Sequence, residues 1–289
     1  MNSRNLLAVV ALGAVLLSGG CHHRRPKEKA PRELVPVSVL YEKGQHALQK
    51  KRPASARRYF DQITLREDAG EYKEKAEIAT ADAYMAEHTL DAYAEAISRY
   101  QAFLAFHPTH PEAPYCQFRI GMAYLESVET PDRDMSSAHS ARDAFQALVD
   151  NYPKSAYVDQ AREKLTVIDN MLAAHEIKVG DFYLKNGHPK GAVARYRGVV
   201  EKYPSYWNLP LVYYRLGRAL AADGQTSEAA LYYKRVLETV PGTRLAKDAE
   251  KGLHSLDRAA SRREKKELPK EPLLPKEKHR SWWKFWKRG

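Results

Sequence analysis

One glycine-headed pattern recurs along the middle of this 289-residue chain and constrains its fold more than any other feature. Gly180 is followed by Tyr183, Ala192, Tyr196, Val199 and Pro204, and Gly217 by Leu220, Ala229, Tyr233, Val236 and Pro241. In both sets the offsets from the glycine are 3, 12, 16, 19 and 24. Residues three or four apart share a helix face, so each set divides into two short helices joined by a turn. A glycine on the first helix and an alanine on the second remove side-chain bulk and let the two backbones approach. The aromatic after that alanine fills the gap, and the proline ends the second helix because it cannot continue the hydrogen-bond ladder.

The same grid fits three earlier units. Gly121 and Tyr124 lead to Ala141, Phe145, Leu148 and Pro153, with 8 extra residues between the helices around Ser127–Ser140. Ala81 and Tyr84 lead to Ala96, Tyr100, Phe103 and Pro108, with 3 extra. Gly44 and Ala47 lead to Ala56, Phe60 and Ile63, with Asp68 in place of the proline. This is tetratricopeptide spacing. It predicts an all-α solenoid of about five helical hairpins from Val37 to Gly242, with a concave face lined by the first helix of each pair. Thr243–Ala260 carries Leu245, Ala249, Leu253 and Leu256 on one stripe and reads as a capping helix. The expected organisation is a leader over 1–20, a polar tether over 21–36, the repeat domain over 37–260 and a basic tail over 261–289, expected to be disordered.

The leader has one early cation, Arg4, and then 12 apolar-rich residues from Leu6 to Leu17. That is too short to span a bilayer as a helix but suits the hydrophobic region of a secretory signal. Leu17-Ser18-Gly19-Gly20-Cys21 then resembles a bacterial lipobox, with Ser18 where leucine is usual. The resemblance implies that Cys21 is acylated and becomes the first mature residue. Each buried methylene contributes about 0.8 kcal/mol, so two or three acyl chains hold firmly. His22 and His23 follow with no aspartate, which by the same resemblance directs the chain to the periplasmic face of the outer membrane. Beyond this covalent lipid no cofactor is expected. Cys116 is the other cysteine; with Cys21 acylated it has no disulfide partner, and its helical-looking surroundings suit a small core side chain.

The formal net charge is +11, and from Ser261 onward 11 Lys/Arg face 4 Glu. An exported chain meets anionic lipid or acidic protein rather than nucleic acid. The tail passes through Leu268-Pro269-Lys270-Glu271-Pro272, a stiff spacer, to Trp282, Trp283 and Trp286 among lysines and Arg288. Indoles and cations together favour a bilayer interface, so these tryptophans are expected to contact the membrane or to anchor a partner.

No catalytic motif is present: no G-x-S-x-G, H-E-x-x-H, phosphate loop or C-x-x-C. His107 and His110 flank the unit-ending Pro108, a turn with two histidines and no third ligand, so no metal is expected. Glu126, Glu129, Asp132 and Asp134 gather near the enlarged loop and read as a solvated acidic surface. The chain reads as a scaffold, not an enzyme.

A lipobox followed by five such units, the third enlarged, resembles the BamD family of the outer-membrane β-barrel assembly machinery. The resemblance rests on Phe106-His107-Pro108-Thr109-His110-Pro111, on Asp132-Arg133-Asp134 before Ala141-Arg142-Asp143-Ala144-Phe145, on Tyr152-Pro153-Lys154-Ser155, and on Ala194-Arg195-Tyr196-Arg197-Gly198. It implies a scaffold that binds the POTRA region of the barrel subunit BamA, sits with other Bam lipoproteins and receives unfolded outer-membrane proteins through their aromatic C-terminal strand. It further implies that Arg195 meets an acidic BamA residue and that Tyr72 faces substrate. Two rivals stay open: another envelope tetratricopeptide lipoprotein, serving pilus-secretin assembly or cell division, and an envelope hydrolase with a cleft that no motif locates.

Overall fold

The computed structural model describes residues 34–128 and 134–267, with side chains as far as Arg262. Cys21, the tether and Trp282, Trp283 and Trp286 lie outside the described residues, as do Glu129, Asp132 and Arg133. Among the described residues the chain is wholly helical. The helices are α1 (Val37–Gln49), α2 (Pro53–Thr64), α3 (Tyr72–Met85), α4 (Leu90–Phe106), α5 (Ala113–Glu126), α6 (Ser136–Asn151), α7 (Val158–Lys185), α8 (Pro189–Lys202), α9 (Leu209–Ala222), α10 (Thr226–Thr239) and α11 (Arg244–Glu267). Each packs on its neighbours in the chain, so α1/α2, α3/α4, α5/α6, α7/α8 and α9/α10 form five stacked antiparallel pairs capped by α11.

The spacing grid is the packing grid. Ala56, Ala96, Ala141, Ala192 and Ala229 are fully buried, and so are the aromatics Phe60, Tyr100, Phe145 and Tyr196 that follow them. The rings of Phe60, Phe145, Tyr196 and Tyr233 lie across the glycine of their partner helix. A Cβ added at Gly121 would come within 2.7 Å of Phe145, one at Gly180 within 2.6 Å of Tyr196, and one at Gly217 within 2.9 Å of Tyr233. Only a hydrogen fits there.

Polar joints bind some pairs to the next. Asp82, one residue after the small residue of α3, accepts hydrogen bonds from Tyr100 (2.5 Å) and Tyr115 (2.7 Å), and Arg119 of α5 stands 3.7 Å away. Two units later Asp181 accepts from Tyr196 (2.6 Å) and pairs with Arg215 of α9 (2.8 Å). Asp, Tyr and Arg thus recur at matching places, tying three consecutive helices through one carboxylate.

The structure corrects the sequence reading in several places. The helix α7 runs 28 residues, twice the 14 of α3, α5 and α9. Neither Gly nor Pro interrupts residues 154–179, and Val158, Ala161, Leu165, Ile168 and Leu172 keep an apolar stripe facing the core. It packs on both α6 and α8, with Asp169 paired to Arg142 of α6 and Glu176, nearer its end, paired to Arg195 of α8. The enlarged loop is shorter than Ser127–Ser140, because α6 already begins at Ser136. Met135 and Ala138 are buried there, and the Asp134 carboxylate accepts from the Ser136 N–H (2.8 Å) and hydroxyl (2.6 Å). These hydrogen bonds, the side-chain one foremost, hold the Asp134 carboxyl below the usual carboxylate range.

The first unit turns without its proline. Glu67–Ala69 forms a single 3-10 turn and Ala69 is buried. Arg66 donates from Nε and Nη2, one edge of its guanidinium, to the two Asp68 oxygens (2.8 and 2.5 Å), and from Nη1 to the Val35 carbonyl (2.5 Å). Finally, α11 continues to Glu267, past the expected boundary at residue 260 and into the segment expected to be disordered, because nothing breaks a helix before Pro269. It behaves as the first helix of a sixth unit, since a Cβ on Gly252 would come within 2.7 Å of Tyr233.

Candidate functional site

Two surfaces bring the chemistry-bearing residues together. The first is a groove of about 580 Å³ across the first helices of units one to three. Tyr41 and Gln45 of α1, Ile78, Ala79 and Asp82 of α3, and Tyr115 of α5 give it walls, while Glu71, Glu74, Lys75 and Glu112 give it a charged rim. Tyr41, three residues before Gly44, packs on Phe60 with 5.7 Å between ring centres, and Tyr115 donates its hydroxyl hydrogen bond to Asp82 (2.7 Å), so each tyrosine is fixed by the core while part of it lines the groove. Sequence reasoning named neither tyrosine as a site residue, because the groove forms only where three helices meet.

Tyr72 supports this groove rather than lining it. It is half-buried, packs edge-on against Tyr41 at 5.6 Å between ring centres, and carries the Lys75 ammonium 5.2 Å from its own ring. Beside it, His107 and His110 are engaged from a direction the sequence did not reveal. His107 lies 3.6 Å from Glu74 and 3.9 Å from Glu77, and His110 lies 3.3 Å from Glu74. Both rings also pack on Phe103, at 4.9 and 5.2 Å. The histidines therefore latch the turn after α4 onto α3. Among the described residues no group of three or more His, Cys, Asp or Glu is arranged to hold a metal ion.

The second surface surrounds Arg195 on α8. Its guanidinium donates to both oxygens of Glu176 on α7, at 3.3 and 3.0 Å, while staying largely open to solvent. Glu176 in turn lines a cleft of about 230 Å³ with Asp134, His139, His175 and Tyr203. The end of the enlarged loop thus meets the partner of Arg195, an adjacency created by the doubled length of α7. Two residues along, and so on another face of α8, Arg197 pairs with Glu228 of α10 at 2.8 Å, tying unit four to unit five.

The buried thiol and phenols are held in their neutral forms. Burial, with the nearby Asp82 carboxylate second, pushes the Cys116 thiol up to about 12. Burial and a hydrogen bond to Glu126 push Tyr93 up to about 12, and burial drives Tyr100, Tyr115 and Tyr196 well above the usual phenol range. These groups are held protonated, the opposite of what a nucleophile or base requires.

Residues 34–213 match a family model described as outer membrane lipoprotein, YfiO, and residues 211–243 match a tetratricopeptide repeat model. The chain belongs to the BamD family of outer membrane lipoproteins. Among BamD proteins, that of Caulobacter vibrioides is 28% identical over 83% of this chain and 79% of its own length. That of Xylella fastidiosa strain Temecula1 is 30% identical over 69% of this chain and 70% of its own. A solved structure of the TPR2AB domain of yeast Sti1 with pHSP90 is similar at 15% identity, covering 78% of this chain and 86% of that one with a TM-score of 0.39. BamD membership accounts for both the repeat architecture and the association with the outer membrane.

Proposed function

We propose that this chain is a non-catalytic assembly factor held at the periplasmic face of the outer membrane by lipid on Cys21. In this reading the groove over the first three units receives the aromatic C-terminal segments of unfolded outer-membrane proteins. The surface around Arg195 binds the POTRA region of a BamA-like barrel protein, alongside other Bam lipoproteins. The tryptophan-bearing tail, through Trp282, Trp283 and Trp286, adds a membrane contact.

The observation that carries the proposal is the open groove with Tyr41 and Tyr115 as walls. An extended peptide can lay alternate side chains into such a surface while its backbone stays accessible. Tyr72 acts through Tyr41, by holding that ring in place. Arg195 suits a partner carboxylate because Glu176 engages it through one nitrogen while the guanidinium stays exposed to solvent, where it can form a further charge-assisted pair.

The test is a pull-down of the mature chain from solubilised outer membranes, in parallel with Arg195→Glu. The parent is expected to recover a large barrel protein and the variant to lose it, because the new carboxylate faces both Glu176 and the partner's acid. Equal recovery by both removes Arg195 from the interface. Absence of a barrel protein from the parent sample overturns the assembly reading as a whole.

A further inference from the structure

The groove across α1, α3 and α5 has an uneven charge. Its lining holds the four carboxylates of Glu71, Glu74, Asp82 and Glu112 against one ammonium, Lys75. Lys75 is already paired with Glu71 at 2.7 Å, and Arg119 stands against Asp82 at 3.7 Å. His110 accepts the backbone N–H of Glu112 at Nδ1 (3.0 Å) and turns Nε2 toward Glu74 (3.3 Å). Among the described residues, Glu112 faces no cation within ion-pair range, and it is exposed. Negative charge is therefore in excess along a surface whose walls are tyrosine, isoleucine and alanine.

We propose that this groove selects extended segments in which Lys or Arg stands beside the aromatic residues, and rejects segments with acidic residues at those places. The inference rests on the reading of the groove as a peptide receptor and adds what it discriminates. The walls of Tyr41, Tyr115 and Ile78 take the aromatic side chains by burial, which is indifferent to charge. The carboxylates on the rim then decide between peptides that the walls cannot tell apart, because like charges brought together oppose binding and opposite charges steer it.

The experiment uses the mature full chain and three fluorescent peptides of equal length and identical aromatic spacing. Their intervening residues are Lys in the first, Ser in the second and Glu in the third. Anisotropy titrations at low salt are expected to rank Lys over Ser over Glu, with the ends about tenfold apart. The gap should shrink as salt approaches about 1 M, where charges are screened beyond about 3 Å. Glu112→Lys should narrow the ranking several-fold; because Glu112 is exposed, its far-UV circular dichroism should match the parent. Equal affinity for the Lys and Glu peptides overturns the charge preference while leaving the receptor reading intact. Failure of all three to bind overturns the receptor reading itself, a distinct result.

Discussion

At the scale of single residues, the packing makes opposite predictions for two glycines. Gly121→Ala pushes a methyl to within 2.7 Å of the buried Phe145 ring, which has no free space to rotate into. Overpacking of this kind costs about 1–3 kcal/mol, and each kcal/mol lowers the melting temperature of a domain this size by about 2–4 °C. Gly198, inside α8, has nothing within 4 Å of an added Cβ. Gly198→Ala should therefore stabilise the chain by about 0.5–1 kcal/mol, through lower backbone entropy in the unfolded state. Thermal melts of the two variants should move in opposite directions; a shift of both the same way contradicts the grid. Cys116 gives a third residue-scale prediction. With its thiol buried and raised to about 12, it should resist iodoacetamide at pH 8 in the folded protein and react fully in urea, read by mass spectrometry of its peptide.

At the scale of elements, the Asp–Tyr–Arg joints set how tightly neighbouring pairs hold. Asp82→Ala removes the acceptor of two tyrosine hydroxyls and the facing charge of Arg119, and should cost about 1–3 kcal/mol. Tyr196→Phe removes one hydrogen bond and leaves Asp181 paired with Arg215, so about 1 kcal/mol is expected. Urea unfolding of both variants measures the order. The same tyrosines make stability fall at alkaline pH. Their folded pKa values are raised, so the unfolded chain releases its phenolic protons first, near pH 10, while the folded chain retains them. Stability is thus fully present below about pH 10 and declines above it, and urea midpoints should be level from pH 7 to 9 and lower at 10.5. Much of this layer was legible beforehand. The small residue, alanine and aromatic of each unit appear in the sequence at fixed offsets because each pair solves the same packing problem. The first half of α7 and the start of α6 were not, because an uninterrupted amphipathic run has no landmark to say where one packing partner gives way to the next. The latch of His107 and His110 onto Glu74 and Glu77 escaped for a related reason: the contact spans separate helices and depends on how they stack. The groove was half visible, as a concave side without its charge.

At the scale of the whole molecule, a stack of this kind lives by its ends. Each pair covers its neighbour, so the last pair needs a cover that is not itself a pair. That cover is α11: Tyr233 fits between Gly217 of α9 and Gly252 of α11. Ala246 and Ala249 complete the seal, and Tyr213 and Val236 are buried beneath it. Ending the chain after Thr243 should uncover this cluster. Burial of apolar surface contributes about 25 cal/mol per Å², so the loss is large for a repeat array, in which stability is nearly a sum over nearest neighbours. The truncated chain is expected to melt earlier and to associate through the exposed tyrosines, seen as a higher mass in light scattering. Ending it after Glu267 instead leaves every described contact of α11 in place, and the melting temperature should match that of the full chain. If the chain ended after Thr243 melts like the full chain and stays monomeric, α11 is not the cap.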